Sequence, residues 1–315
     1  MVSYSIRRSS APTVNDLERA SGTAAIRHPA ARGRLGNGVL VPIIRGQAAA
    51  PLLSLGDAIA QQGGGAGTVL GLVEIPTTWL GLTTPTAERS RQLLRWIAAT
   101  DYEWNDGGVN RLGVQTRIST DVAHSIREAV LETRCDAVVL EWPRAISPRR
   151  HRLAATLRNL VTAPPANLVL ARADLDSRGC MRPRSVLAPV RGGPNAQLAL
   201  AVAVALSVQA GAELTVMHVY DRTHHKDRQE SEAAVFHELI RAMPPLDLVV
   251  SEKFADKPAQ VLLQAARKYD AVVMGTHASA GRPETLVGSE LASVVGQLAK
   301  TVIMTRSIDT YAGPT

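Results

Sequence analysis

The chain has 315 residues, 45% of them hydrophobic, and carries a formal net charge of +7. No apolar run approaches the roughly 20 residues needed to cross a bilayer, and residues 1–34 lack the apolar core of a secretion signal, so the expectation is a cytoplasmic protein with no membrane insertion. Aromatic residues make up only 3% and the basic residues are dispersed, which argues against nucleic acid as a partner and leaves phosphorylated small ligands or an acidic protein partner as the use of the positive field.

Residues 1–35 mix Ser, Arg, Ala and Pro without periodicity and read as a flexible N-terminal tail. A strand is predicted over 38–44, a helix over 52–62 that Gly63-Gly64-Gly65 ends, and a second strand over 68–75. A helix over 86–100 follows, with Leu93, Leu94, Trp96 and Ile97 on its apolar side, and then a strand over 114–118. Asp121 caps a helix running to about Thr133. A strand within 136–142, a helix over 152–161 and a strand over 167–172 complete the first half. After a turn-rich link the order repeats: strand 186–190, helix 196–210 closed by Gly211, strand 214–220, a charged loop from Asp221 to Glu232 merging into a helix that ends near Met243, strand 247–254, helix 258–268, strand 271–274, helix 291–298 and strand 301–306. Strands alternating with helices imply parallel pairing with right-handed crossovers.

The repetition is also one of register. Asp136-Ala137-Val138-Val139 and Asp270-Ala271-Val272-Val273 are identical at an offset of 134 (270 − 136), which also carries Arg172 onto Arg306. The opening strands align at 147 (189 − 42), placing Pro42 on Pro189. The expected fold class is therefore α/β: two tandem five-stranded parallel-sheet units, 36–174 and 184–307, joined by a linker at 175–183 and followed by a C-terminal tail at 308–315. Open parallel sheets bind ligands beyond the carboxyl ends of their strands, and Gly192 and Gly275 are expected at that edge.

The most informative stretch is Asp270 to Ala278, followed by Gly288-Ser289: a short apolar strand, a glycine, a loop and a helix start, spaced G-x2-A-x9-G-S. A helix start with free N–H groups and a positive dipole end can hold an anion; it can equally be an ordinary strand-to-helix connection with Ser289 as its cap. Cys135 and Cys180 have neither metal-ligand spacing nor disulfide density. His218 has no nearby Cys or His at metal spacing and reads as a structural strand residue, and His224 and His225 as incidental residues of a polar loop. Without a G-x-S-x-G elbow, a G-x4-G-K-S/T loop or an H-E-x-x-H helix, the expectation is no enzyme, no catalytic residue and no metal site.

These residues resemble the universal stress protein family, over most of both halves and most strongly in the second. Arg184 to Val190 resembles the family's opening strand, Gly211 to Val219 its second strand, and Lys257-Pro258-Ala259 with Asp270 to Gly275 its third helix and fourth strand. Its nucleotide signature is G-x2-G-x9-G-S/T; Gly275, Gly288 and Ser289 match it, and Ala278 is the one mismatch. The resemblance implies strand order 3-2-1-4-5 in each unit and pairing of the units through their last strands, here 167–172 and 301–306. A further homodimer is open to such a pair. It also implies an adenine nucleotide, ATP or AMP-like, held by Pro189, Val190, Arg191, Val219 and Met274, with phosphates on Gly275, Ala278, Gly288 and Ser289. Arg191 stands where the family's ATP binders usually carry an acid. It can only donate hydrogen bonds, so it grips a phosphate or lies solvated in its loop. In the first half the signature positions are Glu141, Arg144, Ala154 and Ala155, which predicts no nucleotide by the usual loop. There the Arg149-Arg150-His151-Arg152 cluster is a candidate for an anion or an acidic partner, or simply a solvated basic loop. Two functions follow: a stress-response regulator that binds nucleotide in its second half, or a nucleotide-free adaptor for a partner such as a membrane transporter.

Overall fold

The structure, a computed structural model, describes residues 2–6, 35–36, 38–44, 49–75, 112–142, 151–173, 181–276, 298 and 300–308, with single positions 88, 91, 92 and 95. The helices expected over 86–100 and 291–298 lie outside the described residues, apart from those single positions and Leu298.

Eleven strands form a single sheet. In chain order they are β1 (Val2–Ile6), β2 (Gly38–Ile43), β3 (Ala66–Glu74), β4 (Leu112–Ser119), β5 (Ala137–Glu141), β6 (Asn167–Arg172), β7 (Ser185–Pro189), β8 (Glu213–Asp221), β9 (Leu248–Ala255), β10 (Ala271–Gly275) and β11 (Thr301–Arg306). Six described helices cover them: α1 (Ala49–Gly63), α2 (Val122–Thr133), α3 (His151–Thr162), α4 (Pro194–Ala210), α5 (Lys226–Arg241) and α6 (Pro258–Ala266). The strand order across the sheet is β1-β9-β8-β7-β10-β11-β6-β5-β2-β3-β4.

The expectation of two five-stranded units is corrected here: one continuous sheet runs through both halves. The join is β6 against β11, antiparallel, in a sheet whose other pairings are parallel except that of β1. The physical reason lies at the strand edges. An uncovered β6 or β11 would present a row of unpaired N–H and C=O groups, and each satisfies the other. The cores merge as well. On one face Val39, Val41 and Leu53 share a cluster with Val186, Leu198 and Ile303; on the other Leu140 and Leu170 share one with Val272 and Met304. Helix α4 is apolar nearly all round, as a helix buried in such a core must be, and Ser54 Oγ of α1 donates to Gln209 Oε1 of α4 at 3.4 Å.

The tail reading of residues 1–35 also needs correction. Residues 2–6 form β1, which pairs antiparallel with β9 from Val2 opposite Glu252 to Ile6 opposite Leu248. Val2, Tyr4 and Ile6 alternate with Ser3 and Ser5, a period-two signal that the surrounding basic and polar residues obscure. The charged loop after β8 is shorter than expected, because α5 already begins at Lys226.

Register repeats along with order. Val39 lies opposite Ala137 in β2·β5 and Val186 opposite Ala271 in β7·β10, at the offsets 147 (186 − 39) and 134 (271 − 137). Asp136 N donates to Gly38 O at 3.0 Å, and Asp270 N to Ser185 O at 3.1 Å. The two aspartates tie down the start of each opening strand: Asp136 Oδ2 accepts from Gly36 N at 3.1 Å, and Asp270 Oδ2 accepts from Arg184 N at 2.8 Å and Ser185 N at 3.2 Å. Removing the Asp270 carboxylate hands those exposed N–H groups to water. Asp270→Ala should therefore lose about 1 kcal/mol of unfolding free energy in urea titrations; a neutral Asp270→Ala would contradict this role.

Candidate functional site

In each half the two central strands separate early. β7 and β10 share only two register pairs, Val186 with Ala271 and Leu187 with Val272, whereas β7 and β8 share five, and so do β10 and β11. Beyond that point the chain leaves β7 through Val190 to Gly193 and enters α4. This is the switch point at which an open α/β sheet has a crevice. The crevice is present here as a cleft of about 820 Å³, part of it open to solvent.

Six of the nine residues singled out from sequence line this cleft: Pro189, Val190, Arg191, Val219, Met274 and Gly275. Ala278, Gly288 and Ser289 lie outside the described residues, as does Arg144 in the first half. Glu141 ends β5 half-buried, and Ala154 and Ala155 fall within α3, which His151 and Arg152 open. Arg149 and Arg150 are again outside the described residues.

The floor is apolar, with Met217, Val219 and Met274 projecting from the strands and Ala259 and Leu262 from α6. The rim is polar. Arg191 is exposed, and it leads into Gly192 (φ 124°) and Gly193 (φ 79°) before Pro194 opens α4. Those backbone conformations favour glycine, and a Cβ on Gly192 would also stand 2.9 Å from Val235 Cγ1. Gly275 is a glycine for a different reason: a Cβ there would lie 2.8 Å from the backbone oxygen of Asn195. The end of β10 thus packs directly on the first turn of α4.

Asn195, which sequence reasoning missed, fastens that contact. Its Nδ2 donates to Thr276 O at 2.7 Å, its Oδ1 accepts from Ser307 N at 2.7 Å, and its carbonyl accepts from Thr305 Oγ1 at 3.2 Å. Thr276 was missed too. It is 4% exposed and lines the cleft, and among the described residues its Oγ1 has no hydrogen-bond partner. A buried hydroxyl without a partner is costly, and a ligand in the cleft could supply one. A polar residue directly after a strand-ending glycine was the available signal.

Behind the cleft, on the opposite face of β8, lies a titratable cluster. His218 is 1% exposed and its Nδ1 sits 2.7 Å from Val190 O, so Nδ1 carries the proton and the ring holds the end of β7 in place. Among the described residues its Nε2 has no hydrogen-bond partner, and it faces Glu232 Oε2 at 3.9 Å. Glu232 Oε1 lies 3.4 Å from His224 Nδ1 and 3.3 Å from Arg228 Nε. Tyr220 donates to Glu252 Oε2 at 2.7 Å; burial opposes ionisation of Glu252, but the Tyr220 hydroxyl and His237 outweigh it and hold the carboxyl below its usual range. Thr223 does the same for Asp221, through its hydroxyl and its N–H. Among the described residues no group of three or more His, Cys, Asp or Glu side chains is arranged to hold a metal ion.

Comparison with known proteins agrees with this geometry. Residues 183–306 match the universal stress protein family. The matched residues contain the cleft and the cluster behind it. No curated protein matches the chain. Among solved structures, a universal stress protein from Archaeoglobus fulgidus DSM 4304 is similar at a TM-score of 0.58 and 15% identity, over 87% of this chain and 98% of that one. The cytoplasmic domain of a prokaryotic cation chloride cotransporter is similar at 0.53 and 13% identity, over 87% of this chain and 96% of that one. A functionally unknown protein from Pseudomonas aeruginosa PAO1 follows at 0.50 and 17% identity, over 88% and 95%. At these identities the likeness is one of fold, and it extends through both halves.

Burial pushes the His218 imidazole below its ordinary value near 6.5, against the pull of the Val190 carbonyl and of the Glu232 and Glu252 carboxylates. The unfolded chain binds a proton there before the folded one does, so stability present above pH 6.5 is lost as pH falls below it. Thermal melts between pH 7.5 and pH 5 should show a declining melting temperature for the wild type and a flatter one for His218→Gln. Equal slopes would remove His218 as the cause.

Proposed function

We propose that the chain is a tandem regulatory protein of the stress-protein type. It binds an adenine nucleotide in the cleft of its second half and works through binding rather than catalysis. We infer two copies of one unit, 36–174 and 184–307, from the repeated order and register. The observation that carries the ligand reading is the cleft at the β7/β10 switch point. There an apolar floor suited to a base meets a rim of Arg191, the Gly192–Gly193 turn and the partnerless Thr276 hydroxyl. Arg191 favours a ligand with a phosphate near the β7 end, where the guanidinium can donate.

Calorimetric titration with ATP, ADP, AMP and a cyclic nucleotide tests this reading. Ala259→Trp places a large ring at the cleft wall and should abolish binding with the fold intact, while Arg191→Ala should weaken phosphate-bearing ligands by about tenfold or more. No heat with any of the four would defeat the proposal.

A second reading is favoured by one observation, the likeness in fold to a transporter's cytoplasmic domain over most of both chains. In it the pair of units is an adaptor on a membrane partner, without nucleotide. Among the described residues no helix is long and apolar enough to cross a membrane, so on this reading those residues approach the membrane only through a partner. Recovery of a membrane transporter in a pull-down, together with silent titrations, would favour it.

A further inference from the structure

The two ends of the sheet differ. At one end β1 covers the outer edge of β9 with five antiparallel register pairs. At the other end the sheet stops at β4, and among the described residues nothing pairs its outer edge. β4 and β9 are counterparts: each is the third strand of its half and lies beside the second, Gly67 opposite Leu112 and Leu214 opposite Leu248. At the offset this fixes, 136 (248 − 112), Val114 corresponds to Val250. Val250 sits opposite Tyr4 of β1 and is fully buried, whereas Val114 is 43% exposed.

An open edge is a template for another strand, and proteins usually blunt such edges with proline, lysine, a bulge or a short length. β4 uses none of these. It is eight residues long, LGVQTRIS, and runs in unbroken register with β3 from Leu112 to Ser119. Its one charge, Arg117, is engaged by Glu132 of α2. Val114 and Ile118, 43% and 52% exposed, fall on the same face by the two-residue period of a strand.

We propose that β4 is the edge through which two copies of this chain pair, antiparallel and about a two-fold axis, into one longer sheet. A two-fold axis normal to the sheet keeps each face on its own side, so a residue can oppose only residues of its own parity. The register centred on Thr116 meets that condition. It sets Val114 of each copy opposite Ile118 of the other, Thr116 opposite Thr116, and Gln115 opposite Arg117. Both exposed apolar residues then find apolar partners, Thr–Thr is a favourable cross-strand pair, and no like charges meet. The chain already contains a join of this kind. In β6·β11 the register is centred on Leu170 opposite Met304, which are counterparts at the offset 134 (304 − 170), with Val169 opposite Thr305 and Ala171 opposite Ile303 on either side. A second copy is therefore the occupant, joined in the geometry that the two halves use on each other. Because β1 closes the far end, the described residues of each chain leave one open edge, and pairing through it stops at two.

Sedimentation velocity over a hundredfold range of protein concentration tests this pairing. The wild type should reach a dimer, and Val114→Lys/Ile118→Lys, which sets lysines opposite one another twice, should raise the dimer dissociation constant by 100-fold or more with an unchanged circular dichroism spectrum. A wild type that stays monomeric, or a double-lysine variant that dimerises as well as wild type, overturns the proposal. If that variant does not fold, oxidation of Thr116→Cys decides. A cross-linked dimer on a non-reducing gel, beyond that of wild type and of Val114→Cys, supports the Thr116-centred register, and no cross-link beyond those controls overturns it.

Discussion

The antiparallel contact of β6 with β11 is the constraint on which the rest of the molecule depends. Each strand ends a parallel run, and pairing the two ends satisfies the N–H and C=O groups that both edges would otherwise leave open. Joining those edges fixes much else. It places counterpart residues Leu170 and Met304 opposite each other, so the halves are related by a local two-fold. It brings α1 and α4 together and fuses the apolar clusters on both faces, so neither half buries its core alone. It also reverses strand direction at the centre of the sheet. The carboxyl ends of β7 and β10 therefore open at one end of the sheet and those of β2 and β5 at the other, and the two crevices cannot form one composite site.

Within the second half, the cleft owes its shape to close approach rather than to loop flexibility. β10 can end against the first turn of α4 only because position 275 lacks a side chain. Asn195 then ties Thr276 and Ser307 to that turn with both ends of its amide, which binds β10 and the residue after β11 to the helix that walls the cleft. On the far side His218 fixes the Val190 carbonyl, so both lips of the crevice are held from behind. An arrangement held at both lips meets a ligand with little to reorganise, which is how a small polar set yields affinity.

Most of the fold was legible in the sequence, because buried parallel strands read as short Val- and Leu-rich runs and the identical tetrapeptides at 136 and 270 fixed the alignment of the halves. Of the six cleft residues, Gly275 was legible from its place at a strand end; Pro189, Val190, Arg191, Val219 and Met274 came only from the resemblance to the stress-protein family. What escaped was tertiary. β1 is five residues whose alternation is drowned by basic neighbours, and nothing local announces that β9 will accept it. Asn195 matters through strand ends 81 and 112 residues away, so no spacing rule reports it. The contact of Glu232 with Arg228 depends on α5 beginning at Lys226, which a run of charged residues does not mark.

The two halves show how duplication separates scaffold from site. The register of β2·β5 repeats that of β7·β10, so the backbone offers a crevice twice. Glycine is what differs. Glu141 occupies in β5 the place that Gly275 occupies in β10, and it carries a Cβ where the second half has an Asn195 oxygen 2.8 Å away. A helix start cannot approach Glu141 as α4 approaches Gly275, and a carboxylate there would also repel an anion. Register was therefore kept because both cores and the seam need it, while the site could be lost from one half without cost to the sheet. The same reasoning places the difference between the halves at position 141 against 275, where a side chain replaces a close backbone approach, rather than in the register of the strands.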